Sequence, residues 1–445
     1  MITRDFADFA VSQRKVDLDE TVYGAASRAV MDWFGATLAG AHMQPAHILD
    51  VALEFARGAG RAQLVGRTDT VDPRSAALIN GTASHTAELD DIFRDGVYHP
   101  GSPTVAAALA AGQHLNVTGE RFLRAVAVGY EVGDRVAAAV QPAHYTYWHT
   151  TGTVGAIGAA AAVAEILQLD EETFAHALAT ATTMAAGLQQ AFRSDAMSKP
   201  LHAGHAADAG LVAGFAAGRG FTGALDILEG AAGFGAAMSS EPDWNGAIAR
   251  LGAPWGITQA TVKNHSCCGH TFAAVDAALE LRAQQLDPNL VDSVEVRTYS
   301  TATKVAGNPD PRTEFEAKFS IAYCVAAALW LGSVRLAAFS EESLHHPGIR
   351  RLLPRTTIIA DPELDQDFPA RRRAHVTLRM VDGTTHTRHR DTRKGDPDDP
   401  LTDSEMQTKF DELAGPVLGV KGAQRLAMQL WDLRHRDSIV GLGAN

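Results

Sequence analysis

The stretch TVGAIGAAAAVAEIL, residues 153–167, is typical of a helix that is buried among other helices. Its apolar side chains recur at a spacing of three to four residues, and its alanines and glycines leave room for close neighbours. Residues 21–38, 105–115, 121–140 and 206–219 show the same spacing, separated by glycines and short polar turns. We therefore predict a large all-α domain.

A different pattern begins near residue 290. Residues 293–299 (SVEVRTY) and 374–380 (AHVTLRM) alternate between polar and apolar side chains, and residues 356–360 are rich in β-branched side chains. The Asp382-Gly383 pair after the second run is a strong hairpin signal. A helical pattern lies between these strands, at residues 319–331.

The predicted fold is therefore mostly α, with two domains. An all-α helical domain comprises residues 1–257 with 397–445, and a smaller α/β domain comprises residues 258–396. A chain of 445 residues also exceeds the usual size of a single hydrophobic core.

The composition limits the class of protein. A hydrophobic content of 46% and a charged content of 20% are those of a soluble globular protein. The net charge of −13, with no basic stripe, argues against a nucleic-acid partner. The first residues lack the apolar core of a signal peptide, and stretches such as residues 154–164 are too short to span a membrane. We expect a cytoplasmic protein with no membrane partner.

Polar and titratable side chains are concentrated in four segments of an otherwise apolar chain. Helix capping explains their Ser, Thr and Asp residues but not Lys and His at the same places. An active site built from several helix ends explains both, since helix N-termini favour anions and Lys and His bind carboxylates or move protons. The segments are residues 80–91 (NGTASHTAELDD) with His99, 148–153 (WHTTGT), 193–204 (RSDAMSKPLHAG) and 263–270 (KNHSCCGH).

In this order, the four segments resemble those of the MmgE/PrpD family, which includes 2-methylcitrate dehydratases, cis-aconitate decarboxylases and iminodisuccinate epimerases. The likeness extends over nearly the whole chain, through residues 32–40 (DWFGATLAG), 129–132 (GYEV), 318–320 (KFS) with Tyr323, and 394–397 (KGDP). The resemblance implies the two-domain architecture above, with the smaller domain as a lid over a site in the cleft. It also implies a homodimer.

Two lysines are expected to hold the substrate. The resemblance places Lys199, in the SKPLHAG segment, in the site, and it places Lys263 across the cleft from it. Two lysines facing one cavity fit a ligand with at least two carboxylates, because a buried lysine pair would otherwise repel and lose protons. The expected partner is a small-molecule polycarboxylate.

Three residues are candidates for proton transfer. The resemblance places His99 and His149 on positions that line the cleft, although a lone histidine is more often structural. Glu88 stands where decarboxylases and many dehydratases have the first Asp of a DFDD pattern. The chain also has an extra residue before His99, and Ile92 replaces a threonine of the decarboxylases. These differences change the reach of a general base and leave the exact substrate open.

Cys268 bears on the reaction. Cis-aconitate decarboxylases have a histidine at this position, whereas dehydratase-like and epimerase-like members often have a cysteine pair. The Cys267-Cys268 pair therefore argues against decarboxylation, unless both thiols are simply small buried hydrophobes. Asp91, His202, Cys267 and Tyr323 are expected to contact the substrate.

No metal and no cofactor are predicted. Cys267, His265 and His270 allow a zinc-like arrangement, but adjacent cysteines rarely both bind one ion. An iron–sulfur cluster needs three converging thiolates, and Cys324 lies inside an apparent helix. The sequence has no Gly-rich phosphate-binding motif in a strand–helix context.

The sequence and the resemblance together predict a cofactor-independent lyase of the 2-methylcitrate dehydratase type, acting by α-proton abstraction and elimination. One of Glu88, His99 and His149 would remove the proton and another would protonate the departing hydroxyl. Cys268 is a candidate acid or base on the opposite face. The alternatives are an epimerase or racemase of an amino- or imino-dicarboxylate, a cis-aconitate-type decarboxylase, and a non-catalytic carboxylate-binding protein.

Overall fold

The chain folds into two compact units. The structure, a computed structural model, describes residues 1–194, 196–368 and 371–445. The first unit comprises residues 1–262 and 402–445, and the second comprises residues 263–401. The first is mostly helical and the second combines helices with a sheet, which confirms the predicted fold class.

The first unit is built mainly from α-helices. Residue 419 interrupts the last of them, since Gly419 has a φ of +66°. The helices of this unit are Ile2–Ser12, Glu20–Ala41, Gln44–Ala52, Pro73–Thr86, Gly101–Leu115, Gly119–Val140, Thr150–Leu167, Glu171–Thr182, Gln189–Arg193, Ser198–Ala217, Phe234–Met238, Trp244–Ala249 and Asp403–Trp431. Short 3-10 turns lie at Gln13–Lys15, Glu54–Ala56, His144–Thr146, Gly256–Gln259 and Leu433–His435.

Helix Thr150–Leu167 lies at the centre of this unit. It packs against Gly101–Leu115, Gly119–Val140 and Ser198–Ala217, and its residues are buried all round. With 18 residues it is long and apolar enough to cross a membrane, but its burial inside the unit is that of a core helix. The small side chains allow this packing, because a Cβ atom on Gly210 would lie only 2.6 Å from the backbone nitrogen of Ala160.

The first unit also contains two short strand pairs that the sequence did not predict. Ala62–Gln63 pairs with Thr70–Val71, and Ile92–Phe93 pairs with Ala260–Thr261, both antiparallel. The prediction that strands occur only after residue 290 was therefore wrong. Two-residue strands are too short to show an alternating pattern.

The second unit contains a four-stranded sheet. Its strand order is Thr356–Ala360, Val291–Thr298, Ala374–Met380, Thr385–Arg390, with the first pair parallel and the other two antiparallel. The last two strands form the predicted hairpin, with Gly383 at a φ of +87° in its turn.

Helices cover this sheet. Phe272–Arg282 packs on the last two strands and on helix Ile321–Leu331, and together they enclose the second core. The remaining helices are Ser300–Ala306, Glu314–Lys318, Glu341–Leu344, Pro347–Leu352 and Pro362–Asp365, with 3-10 turns at Pro288–Leu290, Leu336–Phe339 and Leu353–Arg355.

Two helix glycines allow a matched test of this packing. We predict that Gly210→Ala lowers the free energy of unfolding by about 1–3 kcal/mol, because the new methyl group would meet helix Thr150–Leu167. Gly24→Ala, where nothing lies within 4 Å, should raise it by about 0.5–1 kcal/mol through helix propensity. Urea denaturation followed by circular dichroism measures both. Equal effects would contradict a role for close helix approach.

Candidate active site

Lys199 forms an ion pair with Glu88. Lys199 lies in the first turn of helix Ser198–Ala217, and its amino group also lies 5.1 Å from the centre of the Phe192 ring. Glu88 has a φ of +57°, a left-handed conformation that is uncommon outside glycine. The positive charge of Lys199 is therefore balanced within its own unit by a carboxylate, whereas the sequence had suggested mutual repulsion between two lysines.

Four imidazoles lie next to one another in the first unit; we call His85, His99, His149 and His202 the histidine cluster. The ring centres of His85 and His99 are 4.8 Å apart, and those of His85 and His149 are 5.4 Å apart in a stacked arrangement. The Nδ1 atoms of His149 and His202 are 3.1 Å apart, so that one ring donates to the other. The cluster is continuous from His99 to His202.

Helix ends hold these imidazoles. His85 lies in the last turn of helix Pro73–Thr86, and His149 is the residue before helix Thr150–Leu167. His202 projects from the second turn of helix Ser198–Ala217, and the backbone N–H of His99 donates to Thr151 Oγ1 at 3.2 Å. The helix with Lys199 and His202 begins at Ser198, eight residues before the predicted start.

Asp90 lies at one end of the histidine cluster. His85 Nδ1 lies 2.6 Å from its Oδ2 atom, Ser102 Oγ donates to the same oxygen at 2.8 Å, and His99 Nδ1 lies 3.3 Å from it. Burial alone would raise the pKa of Asp90, but the two imidazoles hold it well below its ordinary value. Asp90 is therefore an anion in the interior.

Burial keeps most of the imidazoles neutral. It lowers the pKa of His85, with Lys199 and His99 adding to the effect and Asp90 opposing it. It holds the pKa of His149 well below the ordinary value, helped by the charges of His85 and Lys199. It lowers the pKa of His202 to about 4. Neutral imidazoles carry a free lone pair at pH 7, which is what a general base needs.

Hydrogen bonds from Lys409 and Tyr130 hold the loop that carries Glu88, Asp90 and Asp91. The Lys409 amino group donates to Leu89 O at 3.0 Å and to Asp32 Oδ1 at 2.5 Å, and all three groups are buried. Asp91 accepts from Tyr130 Oη at 2.7 Å and from the Gly101 N–H at 3.0 Å. Burial raises the pKa of Asp91 to about 7, and its contacts leave it turned away from the histidine cluster.

The second unit carries its own cluster around residues 263–270. Lys263 and His265 are buried, and His265 Nε2 lies 2.8 Å from Asp276 Oδ1. Cys267 Sγ lies 3.0 Å from Thr271 Oγ1, and the backbone N–H of Cys268 donates to Lys318 O at 2.9 Å. This cluster lies just before helix Phe272–Arg282.

The two adjacent thiols differ in their acidity. Burial raises the pKa of Cys267, but its hydrogen bond with Cys324 and the nearby His265 outweigh this and bring the pKa down to about 7. Burial raises the pKa of Cys268 to about 11, so its thiol stays protonated at neutral pH. Burial lowers the pKa of His270 to about 3, with Arg372 and Arg393 adding to the effect. Cys268 can therefore give a proton but is a poor base.

Tyr323, a predicted substrate contact, lies in the core of the second unit. It is fully buried in helix Ile321–Leu331, and its hydroxyl donates to Ala338 O at 2.6 Å. Donation to a substrate carboxylate would require this hydrogen bond to break, and the role of Tyr323 stays a prediction. The same helix brings Cys324 to Cys267, a contact that the sequence did not predict.

One group of residues in the described part of the chain has donor atoms close enough to hold a metal ion. His85, Asp90 and His99 each offer one such atom, and these lie within 4.8 Å of one another. The sequence had considered a metal only at Cys267, His265 and His270. Two imidazoles and one carboxylate suit several divalent ions, but the short contact between His85 and Asp90 fits a shared proton equally well.

The sequence missed two residues of this site, His85 and Asp90. Both lie within the polar segment of residues 80–91, and they are five residues apart. Asp90 contacts the histidine cluster and Asp91 contacts Tyr130. Neither the histidine spacing nor the charge pattern of the sequence distinguishes these two adjacent acids.

Comparison with known proteins covers nearly the whole chain. The model of the MmgE/PrpD N-terminal domain matches residues 4–247, and that of the MmgE/PrpD C-terminal domain matches residues 265–433. The cis-aconitate decarboxylase-like protein oryM of Aspergillus oryzae is 26% identical over 453 residues, covering 96% of this chain and 93% of that protein.

Two mammalian proteins are similarly related. The cis-aconitate decarboxylase of Mus musculus is 27% identical over 433 residues, covering 94% of this chain and 87% of that protein. The cis-aconitate decarboxylase of Homo sapiens is 27% identical over 451 residues, covering 97% of this chain and 92% of that protein.

Asp91 should make stability depend on pH. Its native pKa of about 7 lies above the ordinary 3.8, so the native state holds a proton that the unfolded state has released between these values. The free energy of unfolding therefore falls as pH rises through this window, and the loss is complete above pH 7. We predict that Asp91→Asn reduces the fall between pH 5 and 8 by about 2–3 kcal/mol. Urea denaturation at both pH values measures this, with exposed Asp8→Asn as the control. An unchanged pH dependence would show that Asp91 is ionised in the native state.

Proposed function

Because the chain belongs to the MmgE/PrpD family, we propose that it is a cofactor-independent lyase that removes a proton α to a carboxylate of a small di- or tricarboxylate. The chain is an enzyme, and its relatives are consistent with the lyase class. One observation carries the proposal for its chemistry. Buried, neutral imidazoles lie in the same unit as a buried lysine whose present partner is a carboxylate.

Lys199 is the proposed anchor for a substrate carboxylate. Glu88 already shows that its amino group accepts a carboxylate as a partner, and a substrate carboxylate would take the place of Glu88. The charge of Lys199 also lowers the pKa of His149, which keeps that imidazole unprotonated with its lone pair free. When the α-proton leaves, negative charge grows on the carboxylate, and a fixed cation stabilises it more in the transition state than in the ground state.

Proton transfer is the proposed task of the histidine cluster. His99 and His149 are the candidate bases, and Glu88 becomes a third once a substrate displaces it from Lys199. His202 lies within hydrogen-bond distance of His149 and provides a route by which a proton leaves that ring. In the second unit, the Cys268 thiol is protonated at neutral pH, so any part it takes is that of an acid.

Elimination of water is the first candidate reaction, of the 2-methylcitrate dehydratase type. The base takes the α-proton, the electron pair forms the carbon–carbon double bond, and the β-hydroxyl leaves as water after an acid protonates it. Three differences from the decarboxylase pattern support it: Glu88 for the first Asp of DFDD, Ile92 for Thr, and Cys268 for His.

Decarboxylation is the second candidate, and the names of the relatives favour it. Cis-aconitate decarboxylases are 25–27% identical to this chain over nearly its full length. The same residues could perform this reaction. Lys199 would hold a retained carboxylate, carbon dioxide would leave, and an acid would protonate the carbanion. Epimerisation needs only proton removal and return, with Cys268 as the acid, and stands third.

A thermal-shift panel tests the carboxylate anchor. We expect at least one of citrate, methylcitrate, cis-aconitate, malate and the aminodicarboxylates to raise the melting temperature, and matching monocarboxylates to do much less. A ligand at a hundredfold excess over its Kd stabilises the native state by about 2.7 kcal/mol, which such a panel detects readily. Lys199→Ala and Lys263→Ala should each remove most of the shift.

The control variant in this panel is Lys421→Ala, because Lys421 is exposed on helix Asp403–Trp431. It should respond as the wild type does. If no polycarboxylate shifts the wild type, or if the Lys199 and Lys263 variants keep the full shift, the proposed carboxylate site is wrong.

The products distinguish the reaction classes. With a ligand from the panel in deuterium oxide, a dehydratase forms an alkene that absorbs in the near ultraviolet, a decarboxylase releases carbon dioxide, and an epimerase returns a deuterated stereoisomer. We expect the alkene without carbon dioxide, at a rate that chelating agents do not lower. Release of carbon dioxide at a rate comparable with that expected for the alkene would favour decarboxylation over elimination.

A further inference from the structure

Three side chains converge on one oxygen of Asp90. His85 Nδ1 and Ser102 Oγ lie 2.6 Å and 2.8 Å from Oδ2, and His99 Nδ1 lies 3.3 Å from it, at ion-pair distance but without hydrogen-bond geometry, whereas Oδ1 is buried with no hydrogen-bond partner in the described residues. The chain therefore concentrates its contacts on the side of Asp90 that faces two imidazoles. A buried carboxylate needs such donors, since an unpaired charge in the interior is costly.

The charge of Asp90 dictates where the protons lie on the two rings. An ionised carboxylate has only acceptor atoms, so a neutral imidazole nitrogen that faces it must carry a hydrogen. For both His85 and His99 the facing nitrogen is Nδ1. The lone pair of each ring then lies on Nε2.

We propose that Asp90 and His85 are positioning residues for His99: the Asp90 carboxylate fixes the Nδ1–H tautomer of His99, and His85 fixes the orientation of that carboxylate. His99 Nε2 is then the atom that accepts the substrate proton. This last step rests on the proposed function, whereas the tautomer itself does not.

His85 suits this role because its whole surroundings restrain it. It is fully buried, its Nδ1 makes the shortest contact to Asp90, and its ring packs edge-to-face on His99 and stacks on His149. The charged and titratable groups that act on it are Asp90, Lys199 and His99, and His149 lies against its face. Without His85, the carboxylate would lose one of its donors and could turn Oδ2 away from His99.

The test is a nitrogen-15 NMR measurement of histidine tautomers. In protein labelled only at histidine, long-range proton–nitrogen correlations show which ring nitrogen carries the hydrogen, and the His99→Gln variant identifies the His99 signals. We expect a single Nδ1–H tautomer for neutral His99 in the wild type. A hydrogen on His99 Nε2 would overturn the proposal.

Two substitutions separate the hydrogen bond of His85 from its bulk. His85→Leu keeps much of the volume and removes the donor, and we expect His99 to become a mixture of tautomers. His85→Asn places an amide N–H near the position of Nδ1 and should restore the single tautomer. A wild-type His99 pattern in the leucine variant, or a mixture in both variants, would show that the donor of His85 does not orient Asp90.

Folding and turnover provide the remaining controls. If His85→Leu does not fold, as judged by circular dichroism, Ser102→Ala replaces it, because it removes another donor to the same oxygen. In the active enzyme, His85→Leu should lower kcat about tenfold or more while KM changes little, with recovery in His85→Asn. An Nδ1–H tautomer in a protein that turns over no polycarboxylate would contradict the proposed function alone.

Discussion

The buried contact of Lys409 with Asp32 and Leu89 is the interaction on which the rest of the site depends. Lys409 comes from helix Asp403–Trp431, Asp32 from helix Glu20–Ala41, and the Leu89 carbonyl from the loop between Glu88 and Asp90. An unpaired charge at this depth costs about 3–5 kcal/mol, so the two helices and the loop hold one another in place. Because these contacts restrain the loop, Glu88 lies within reach of Lys199, and Asp90 lies within reach of His85 and His99. The Lys409 contact therefore helps to position both the partner of Lys199 and the carboxylate beside the proposed base His99.

Much of the fold is predictable from the sequence, and the errors of that prediction have identifiable causes. The central helix and the hairpin after residue 374 were predictable because long apolar periods and an Asp-Gly turn are strong local signals. Helix Ser198–Ala217 begins earlier than its apolar pattern, since its polar first turns face the site rather than the core, and Pro200 is tolerated in a first turn. The two-residue strand pairs are held by neighbouring segments and have no local pattern of their own.

The candidate site was predictable as a set of segments but not as a set of contacts. Lys199, His149 and His202 stand out because they interrupt apolar helices, and the structure places them in one unit with His99 and Glu88. The sequence could not show that three nearby acids point to three different partners. The left-handed backbone at Glu88 redirects the chain, so that Glu88 reaches Lys199, Asp90 the histidine cluster and Asp91 Tyr130. Backbone geometry of this kind depends on the tertiary contacts that surround it.

The separation of Asp32 and Lys409 along the chain has a consequence for biosynthesis. The two residues are 377 positions apart, and the entire second unit is made between them. At about 5–20 residues per second, a ribosome needs about 20–75 s to travel from one to the other. Throughout that interval the nascent first unit lacks helix Asp403–Trp431, which packs on Glu20–Ala41 around Gly35, and Asp32 lacks its lysine partner. Because of this chain topology, we expect the exposed surface of Glu20–Ala41 to need protection by a chaperone until helix Asp403–Trp431 has been synthesised.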